Sequence, residues 1–219
     1  MKKNSYSGKF IVFEGLDGSG QSTQANLLKN FLIEQGLSVI LTKEPTLESE
    51  AGKKIRKILD KKEKTSPKNL QELFTEDRKE HLKKLIIPAL KKRKIVISDR
   101  YFFSSFAYGA ADGLDLEWLI KINNQFLLPD LIFFLKVNSE ICIQRIEKRG
   151  DPKTLFEKKK RLENVWQVYE ALLNRFENIY PAPFTKGGGV YLIDGEKPIE
   201  DVFSQVKKII LQLLNNKNR

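Results

Sequence analysis

The sequence predicts an α/β protein in which helices cover both faces of a central parallel sheet. Three observations indicate this class: short, almost wholly apolar runs, helical patterns between these runs, and a glycine-rich loop after the first run. Strands are expected at residues 10–13, 37–42, 95–98, 131–137 and 190–193. We therefore expect a three-layer α/β/α fold with a five-stranded parallel sheet.

Length and composition favour an ordinary soluble enzyme or binding protein. The 219 residues are expected to form one domain, 1–219, and no apolar run approaches the roughly 18 residues of a membrane span. The N-terminus lacks a secretory pattern, and the single cysteine, Cys142, indicates a reducing cytosol. The net charge of +11 suits an anionic partner. Because the lysines are spread over many elements, steering is favoured over a nucleic-acid surface, which remains a minor alternative.

The strand at residues 10–13 runs into a loop that is typical of phosphate binding. Glycines at positions 15, 18 and 20 let backbone N–H groups curl around phosphate oxygens at a helix N-terminus. The pattern G-x-x-x-x-G-K-[ST] fits except at Gln21, which stands where the lysine belongs. Ser22 remains as a candidate Mg²⁺ ligand. A tight turn without a ligand is the alternative interpretation.

Polar residues follow the second and third predicted strands, at the sheet edge where α/β proteins bind ligands. Glu44 is placed near the glycine loop, or alternatively caps a nearby helix. Asp99 and Arg100 are expected to serve Mg²⁺ and a phosphate, with a simple surface ion pair as the alternative.

Helical patterns place further candidates. A long helix is expected from Ser66 to about residue 90, with Pro88 as a possible kink and with Phe74 and Arg78 on one face. His81, the only histidine, is expected to be solvated and non-catalytic. A helical turn at residues 104–108 should loosen into a loop at 109–113. Two helices joined by a basic loop predict a hinged flap, a helical lid at about residues 145–161.

These features describe phosphoryl transfer between two anionic partners. A general base is not needed if the acceptor is a phosphate monoester, because its second pKa of about 6 leaves it largely ionised at neutral pH. Cationic groups and Mg²⁺ are needed to bring the two polyanions together.

The chain resembles the thymidylate kinases, P-loop nucleoside monophosphate kinases that phosphorylate dTMP with ATP. The resemblance covers nearly the whole chain and is carried by FEGLDGSGQSTQ at 13–24, EPT at 44–46 with Gly52 and Arg56, LFTEDR at 73–78, ISDRYFFSSFAY at 97–108, and the arginine-rich flap. It implies a P-loop kinase fold, the transfer of the γ-phosphate of ATP to dTMP, Mg²⁺ as cofactor and a homodimer, which the single cysteine places in the cytoplasm.

The resemblance also implies the roles of individual residues. ATP would be bound by Gly15, Leu16, Asp17, Gly18, Ser19, Gly20, Gln21, Ser22, Thr23, Arg145 and Arg149. The dTMP would be bound by Asp17, Glu44, Arg56, Phe74, Arg78, Arg100, Ser105 and Tyr108. Phe74 would stack on thymine, Arg78 would donate to its carbonyl edge, and Tyr108 would disfavour a 2′-hydroxyl. Ser22 and Asp99 would position Mg²⁺, and the catalytic residues would be Asp17, Arg100, Arg149 and Lys153.

Two positions depart from the family pattern. Gln21 lacks the positive charge of the lysine, and we expect Arg145, Arg149 or Lys153 of the flap to supply it. Gly109 replaces a glutamine that helps to read thymine, so weaker discrimination between dTMP and dUMP is expected. Two alternatives stay open: a P-loop kinase for another nucleoside or nucleotide, and a nucleotide-binding protein that has lost catalysis through Gln21.

Overall fold

The sheet lies at the centre of the molecule, and all of its neighbouring strands run parallel. The computed structural model describes residues 1–150, 159–176 and 189–215. The strands are β1 (Lys9–Gly15), β2 (Val39–Lys43), β3 (Ile95–Asp99), β4 (Leu131–Lys136) and β5 (Gly189–Asp194), in the order β2-β3-β1-β4-β5. The predicted five-stranded parallel sheet is confirmed.

Helices cover both faces of this sheet. They are α1 (Gln21–Glu34), α2 (Glu50–Leu59), α3 (Pro67–His81), α4 (Ile87–Lys91), α5 (Phe102–Ala111), α6 (Leu116–Asn123), α7 (Ser139–Arg149), α8 (Lys159–Phe176) and α9 (Ile199–Asn215). One core contains α1 and α9, and the other contains α5 and α8. Within the described ranges, no helix has both the length and the apolar character for crossing a membrane.

Strand β1 is buried on both sides, which explains the unbroken apolar run at residues 10–13. It lies between β3 and β4. Phe10 and Val12 belong to one core, whereas Ile11 and Phe13 belong to the other. Because successive side chains of a strand point to opposite faces, a central strand covered on both faces needs apolar residues at every position.

Two helical expectations are corrected. The long helix is interrupted by a π-helical turn, Leu82–Ile86, in which the N–H of Ile87 binds the carbonyl of Leu82, so the irregularity precedes Pro88. Helix α5 continues to Ala111, so Gly109 lies within a helix and not in a loop. Gly109 packs tightly against α6, because a Cβ at this position would lie 2.9 Å from both Cδ atoms of Leu119.

A buried carboxylate ties the loop after β2 to α2 and α3. Asp77 accepts hydrogen bonds from the backbone N–H of Thr46 at 2.8 Å, from the hydroxyl of Thr46 at 2.5 Å, and from the hydroxyl of Ser49. The same Ser49 oxygen accepts from the N–H of Gly52 at 2.7 Å and caps α2. This network fixes the position of α2 relative to the sheet edge.

Gly52 leaves no room for a side chain at this junction, and its replacement tests the packing. A Cβ there would lie 2.1 Å from the carbonyl oxygen of Thr46. We expect Gly52→Ala to lower the free energy of unfolding by about 2 kcal/mol, although alanine is intrinsically the better helix former. Urea unfolding measures this, with Lys54→Ala on the exposed side of α2 as the control. A Gly52→Ala protein as stable as the wild type would contradict the packing.

At the end of β1, the Glu14 carboxyl group holds the start of α5. It is fully buried and accepts from the N–H of Tyr101 at 2.9 Å, from the hydroxyl of Ser104 at 2.6 Å and from the hydroxyl of Tyr169 at 3.2 Å. Burial raises the pKa of Glu14 to about 7, although the positive charge of Arg100 opposes the shift. This single group therefore joins β1, α5 and α8.

Glu14 makes stability depend on pH. Since its pKa is raised, the folded protein binds more protons than the unfolded chain, and the stability contributed below pH 4.5 is lost as the pH rises through about 7. The loss is on the order of 3 kcal/mol. We expect Glu14→Gln to gain stability relative to the wild type from pH 5 to pH 8 in denaturant titrations. Glu34→Gln, an exposed control, should leave the wild-type slope unchanged.

Candidate active site

The glycine loop connects β1 to α1 and is held from behind by α7. Gly18 and Gly20 have φ values of 86° and 100°, in the left-handed region that favours glycine. A Cβ on Gly18 would also lie 2.5 Å from the carbonyl oxygen of Cys142 in α7. Burial raises the pKa of the Cys142 thiol to about 12, so this cysteine contributes packing rather than a reactive thiolate. The loop can therefore present its backbone only with glycine at these points.

The Gln21 side chain folds back onto the loop. It is 5% exposed, and its Nε2 donates to the carbonyl oxygen of Gly15 at 2.8 Å. Nη1 of Arg100 also donates to this carbonyl, at 3.1 Å. Gln21 thus stabilises the loop as a neutral donor and brings no charge to the place where phosphates would bind.

Ser22 and Asp99 meet beside the loop, as predicted. The Ser22 hydroxyl donates to Oδ2 of Asp99, and the Lys43 ammonium lies 3.0 Å from the same oxygen. A hydroxyl and a carboxylate are hard oxygen ligands suited to Mg²⁺, and a cation already approaches them. Within the described residues, no group of three or more His, Cys, Asp or Glu forms a metal cage. The Ser22 hydroxyl and the Asp99 carboxylate fit a Mg²⁺ ion that takes its remaining ligands from bound phosphates and water.

Arg100 follows β3 directly, and hydrogen bonds hold its guanidinium in place beside the glycine loop. Its guanidinium donates to Asp17 at 2.6 Å and to the hydroxyl of Ser104 at 2.8 Å. The Tyr108 hydroxyl donates to the other oxygen of Asp17 at 3.1 Å, and burial together with that carboxylate raises the pKa of Tyr108. Arg100 has a φ of 75°, a strained conformation that is typical of functional sites.

A second part of the cavity is built around the buried Arg78. Its Nε donates to Glu44 at 2.7 Å, its Nη1 to Asn123, at 2.5 Å, and its Nη2 to Ser105 at 3.0 Å. Phe74, one turn earlier on α3, is half-buried and also lines the cavity. The carboxylate and the two neutral side chains fix the orientation of the guanidinium.

The prediction that His81 is solvated is wrong. His81 is 5% exposed, and its ring nitrogens lie 3.1 Å from Glu44 Oε1 and 2.7 Å from Thr42 Oγ1. Its position in the last turn of α3 faces the end of β2, which the charged neighbours in the sequence did not indicate. Its contacts make it a buried partner of Glu44.

One cavity of about 350 Å³ brings most of the predicted site residues together. It is lined by Asp17, Gly18, Gly20, Gln21, Ser22, Thr23, Glu44, Arg56, Phe74, Arg78, Asp99, Arg100, Ser105, Tyr108 and Arg149. Four predicted residues do not line it: Gly15, Leu16, Ser19 and Arg145. Leu16 is buried in the core, and Arg145 donates instead to the carbonyl of Gly195 at 3.0 Å. Lys153 and the rest of 151–158 of the predicted flap lie outside the described residues, whereas α7 ends at Arg149.

Sequence reasoning missed several polar residues of this site, among them Lys43, Gln71 and Asn123. Lys43 could have been found, because it ends β2 directly before Glu44. Gln71 lines the cavity, and Asn123 is a hydrogen-bond partner of Arg78. These two lie on different helices, and no local pattern indicates that α3 and α6 meet at this point.

Comparison with known proteins agrees with this arrangement. The family model described as thymidylate kinase matches residues 13–206. The probable thymidylate kinase of Pyrococcus horikoshii is 41% identical over 208 residues, covering 93% of this chain and 96% of the relative. The thymidylate kinase of Leptospira interrogans serovar Lai is 35% identical over 211 residues, covering 95% and 97%. With the glycine loop, the Ser22–Asp99 pair and the Phe74–Arg78 pocket in one cavity, the chain belongs to the thymidylate kinase family.

Proposed function

We propose that the chain transfers the γ-phosphate of ATP to dTMP and forms dTDP. The observation that carries this proposal is that one cavity is lined both by the glycine loop and by the Phe74–Arg78 pocket. Phosphoryl transfer needs donor and acceptor aligned at close range, away from competing water. The names of the relatives, thymidylate kinase and probable thymidylate kinase, support this choice of acceptor.

The loop side of the cavity suits the triphosphate. Backbone N–H groups of residues 18–22 would surround its oxygens at the N-terminus of α1. Ser22 and Asp99 would hold Mg²⁺, which offsets negative charge on the phosphates. The Ser22–Asp99 hydrogen bond supports this assignment, because it brings the two oxygen ligands together before any ion binds.

The helical side suits a pyrimidine nucleotide. Phe74 offers a ring for stacking, and Arg78, held by Glu44, presents donors to a base carbonyl. Arg100 and Arg56 would hold the monophosphate, while Tyr108 would pack against the sugar. Asp17 keeps Arg100 oriented at 2.6 Å and can accept from the sugar 3′-hydroxyl.

No general base is assigned to this reaction. The second pKa of a phosphate monoester is about 6, so the acceptor oxygen is already ionised at neutral pH. Catalysis instead requires positive charges that offset the repulsion between the two polyanionic substrates. The charge that Gln21 lacks therefore matters, and Arg149 lines the cavity where it could supply it.

The cellular setting is also a proposal. The family resemblance favours a homodimer. The single unpaired cysteine, Cys142, favours a reducing compartment, the cytoplasm.

ADP release with Mg²⁺ and ATP tests the proposed reaction. We expect strong release with dTMP as the acceptor and much weaker release with dGMP or thymidine, because these lack the matching base or the monophosphate. Because Gly109 stands where the family has a glutamine, we also expect a smaller preference for dTMP over dUMP in kcat/KM than the family has. Release by Gln21→Lys alone, with a silent wild type, would instead indicate a nucleotide-binding protein that has lost catalysis.

Replacement of Arg149 tests the source of the missing charge. A cation about 4 Å from a phosphate oxygen contributes on the order of 4 kcal/mol at an effective dielectric near 20. We therefore expect Arg149→Ala to lower kcat by about a hundredfold to a thousandfold. Adding Gln21→Lys to this variant should restore much of the rate.

The matched control is Lys148→Ala, which removes the same charge from the exposed neighbouring position of α7. Lys153→Ala is measured in parallel, because Lys153 is the other flap candidate. If Arg149→Ala and Lys153→Ala both keep the wild-type rate, the flap does not replace the lysine.

A further inference from the structure

Gln71 lies in the base pocket beside residues that the proposed function already uses. It precedes Phe74 by three positions and Arg78 by seven, so all three project from one face of α3. Gln71 is 2% exposed, and it lines the same cavity as Phe74 and Arg78. A large polar side chain at a buried position needs hydrogen-bond partners.

The carboxamide oxygen of Gln71 has no such partner. Its Oε1 is buried and accepts no hydrogen bond from any of the residues that the structure describes. An unsatisfied buried acceptor lowers stability, so a residue of this kind at a cavity wall calls for a functional explanation. An incoming ligand with an N–H donor would satisfy it.

Gly109 provides the space that the Gln71 side chain occupies. A Cβ on Gly109 would lie 3.3 Å from Cδ of Gln71 and 2.9 Å from both Cδ atoms of Leu119. A larger residue at position 109 would therefore push the carboxamide away. The pocket formed by Phe74 and Arg78 therefore contains the amide of Gln71 on α3, whereas Gly109 on α5 carries no side chain.

We propose that Gln71 is a specificity-determining residue that reads the base of the acceptor nucleotide through its carboxamide. This inference rests on the proposed function, in which dTMP binds against Phe74. Rotation about the last side-chain torsion turns Oε1 towards the cavity, where it accepts from the N3–H of thymine while the NH₂ group donates to an adjacent carbonyl.

Arg78 determines which bases can use this amide. A carboxamide alone can flip and would suit either thymine or cytosine. The Arg78 guanidinium only donates, and Glu44 and Ser105 hold its orientation. Arg78 therefore requires a carbonyl oxygen at the base edge, as in thymine and uracil, and Gln71 adds the acceptor for N3–H. The amide thus selects the pyrimidine edge and does not sense the 5-methyl group.

The test combines Gln71→Met with an altered acceptor. Methionine is similar in volume but forms no comparable hydrogen bond. Binding of dTMP and N3-methyl-dTMP is measured by calorimetry, and kcat/KM by ADP release, for the wild type and the variant. We expect the preference for dTMP over N3-methyl-dTMP to be at least about tenfold larger in the wild type than in Gln71→Met. Only the wild type loses a hydrogen bond when N3 is methylated.

Two further readouts separate this role from simple packing. Removing an unsatisfied oxygen should leave the melting temperature of the unliganded protein unchanged or higher, whereas a merely structural glutamine would lower it on replacement. Gln71→Leu serves as a second apolar variant, and Glu72→Gln on the exposed side of α3 is the control.

The possible failures are distinguishable. If the wild type neither binds nor phosphorylates dTMP, the proposed function fails and this inference fails with it. If the wild type uses dTMP but the N3-methyl penalty is equal in wild type and both apolar variants, only the role of Gln71 is overturned.

Discussion

The parallel pairing of β1 with β3 is the constraint on which the site depends. Phe13 pairs with Asp99, and the N–H of Arg100 donates to the carbonyl of Phe13 at 2.9 Å. Backbone hydrogen bonds therefore bring the glycine loop that follows β1 next to Asp99 and Arg100 at the end of β3. Because this pairing is buried on both faces, a shift in its register would disturb the two cores as well as the site.

Three positively charged side chains at the cavity each form an ion pair with a carboxylate in the absence of substrate. Arg100 lies against Asp17, Arg78 against Glu44, and Lys43 against Asp99. Each carboxylate stabilises a cation that would otherwise be repelled by its neighbours, and it also fixes the direction of the donors. An incoming phosphate then has to compete with a resident anion, which restricts tight binding to ligands that make several contacts at once.

The sequence allowed the sheet, the glycine loop and the strand-tip residues to be predicted because these depend on local patterns: apolar runs, glycines, and position at the end of a strand. It could not reveal that His81 is buried against Glu44, since charged neighbours along a helix say little about the element packed against it. The amide of Gln71 was missed for a similar reason. Its place beside Gly109 depends on the packing of α3 against α5, which no local pattern in the sequence indicates.

The neutral side chain at position 21 has a consequence for chemical profiling. Reactive ATP analogues that acylate the lysine of a phosphate-binding loop find no amine on Gln21, whose nitrogen is an amide bonded to Gly15. Among the residues that the structure describes, the Lys43 amine of β2 lies beside this pair, 3.0 Å from Asp99. Surveys that rely on the loop lysine would therefore miss this chain or label it on β2, although its glycine loop matches the phosphate-loop pattern at every other position.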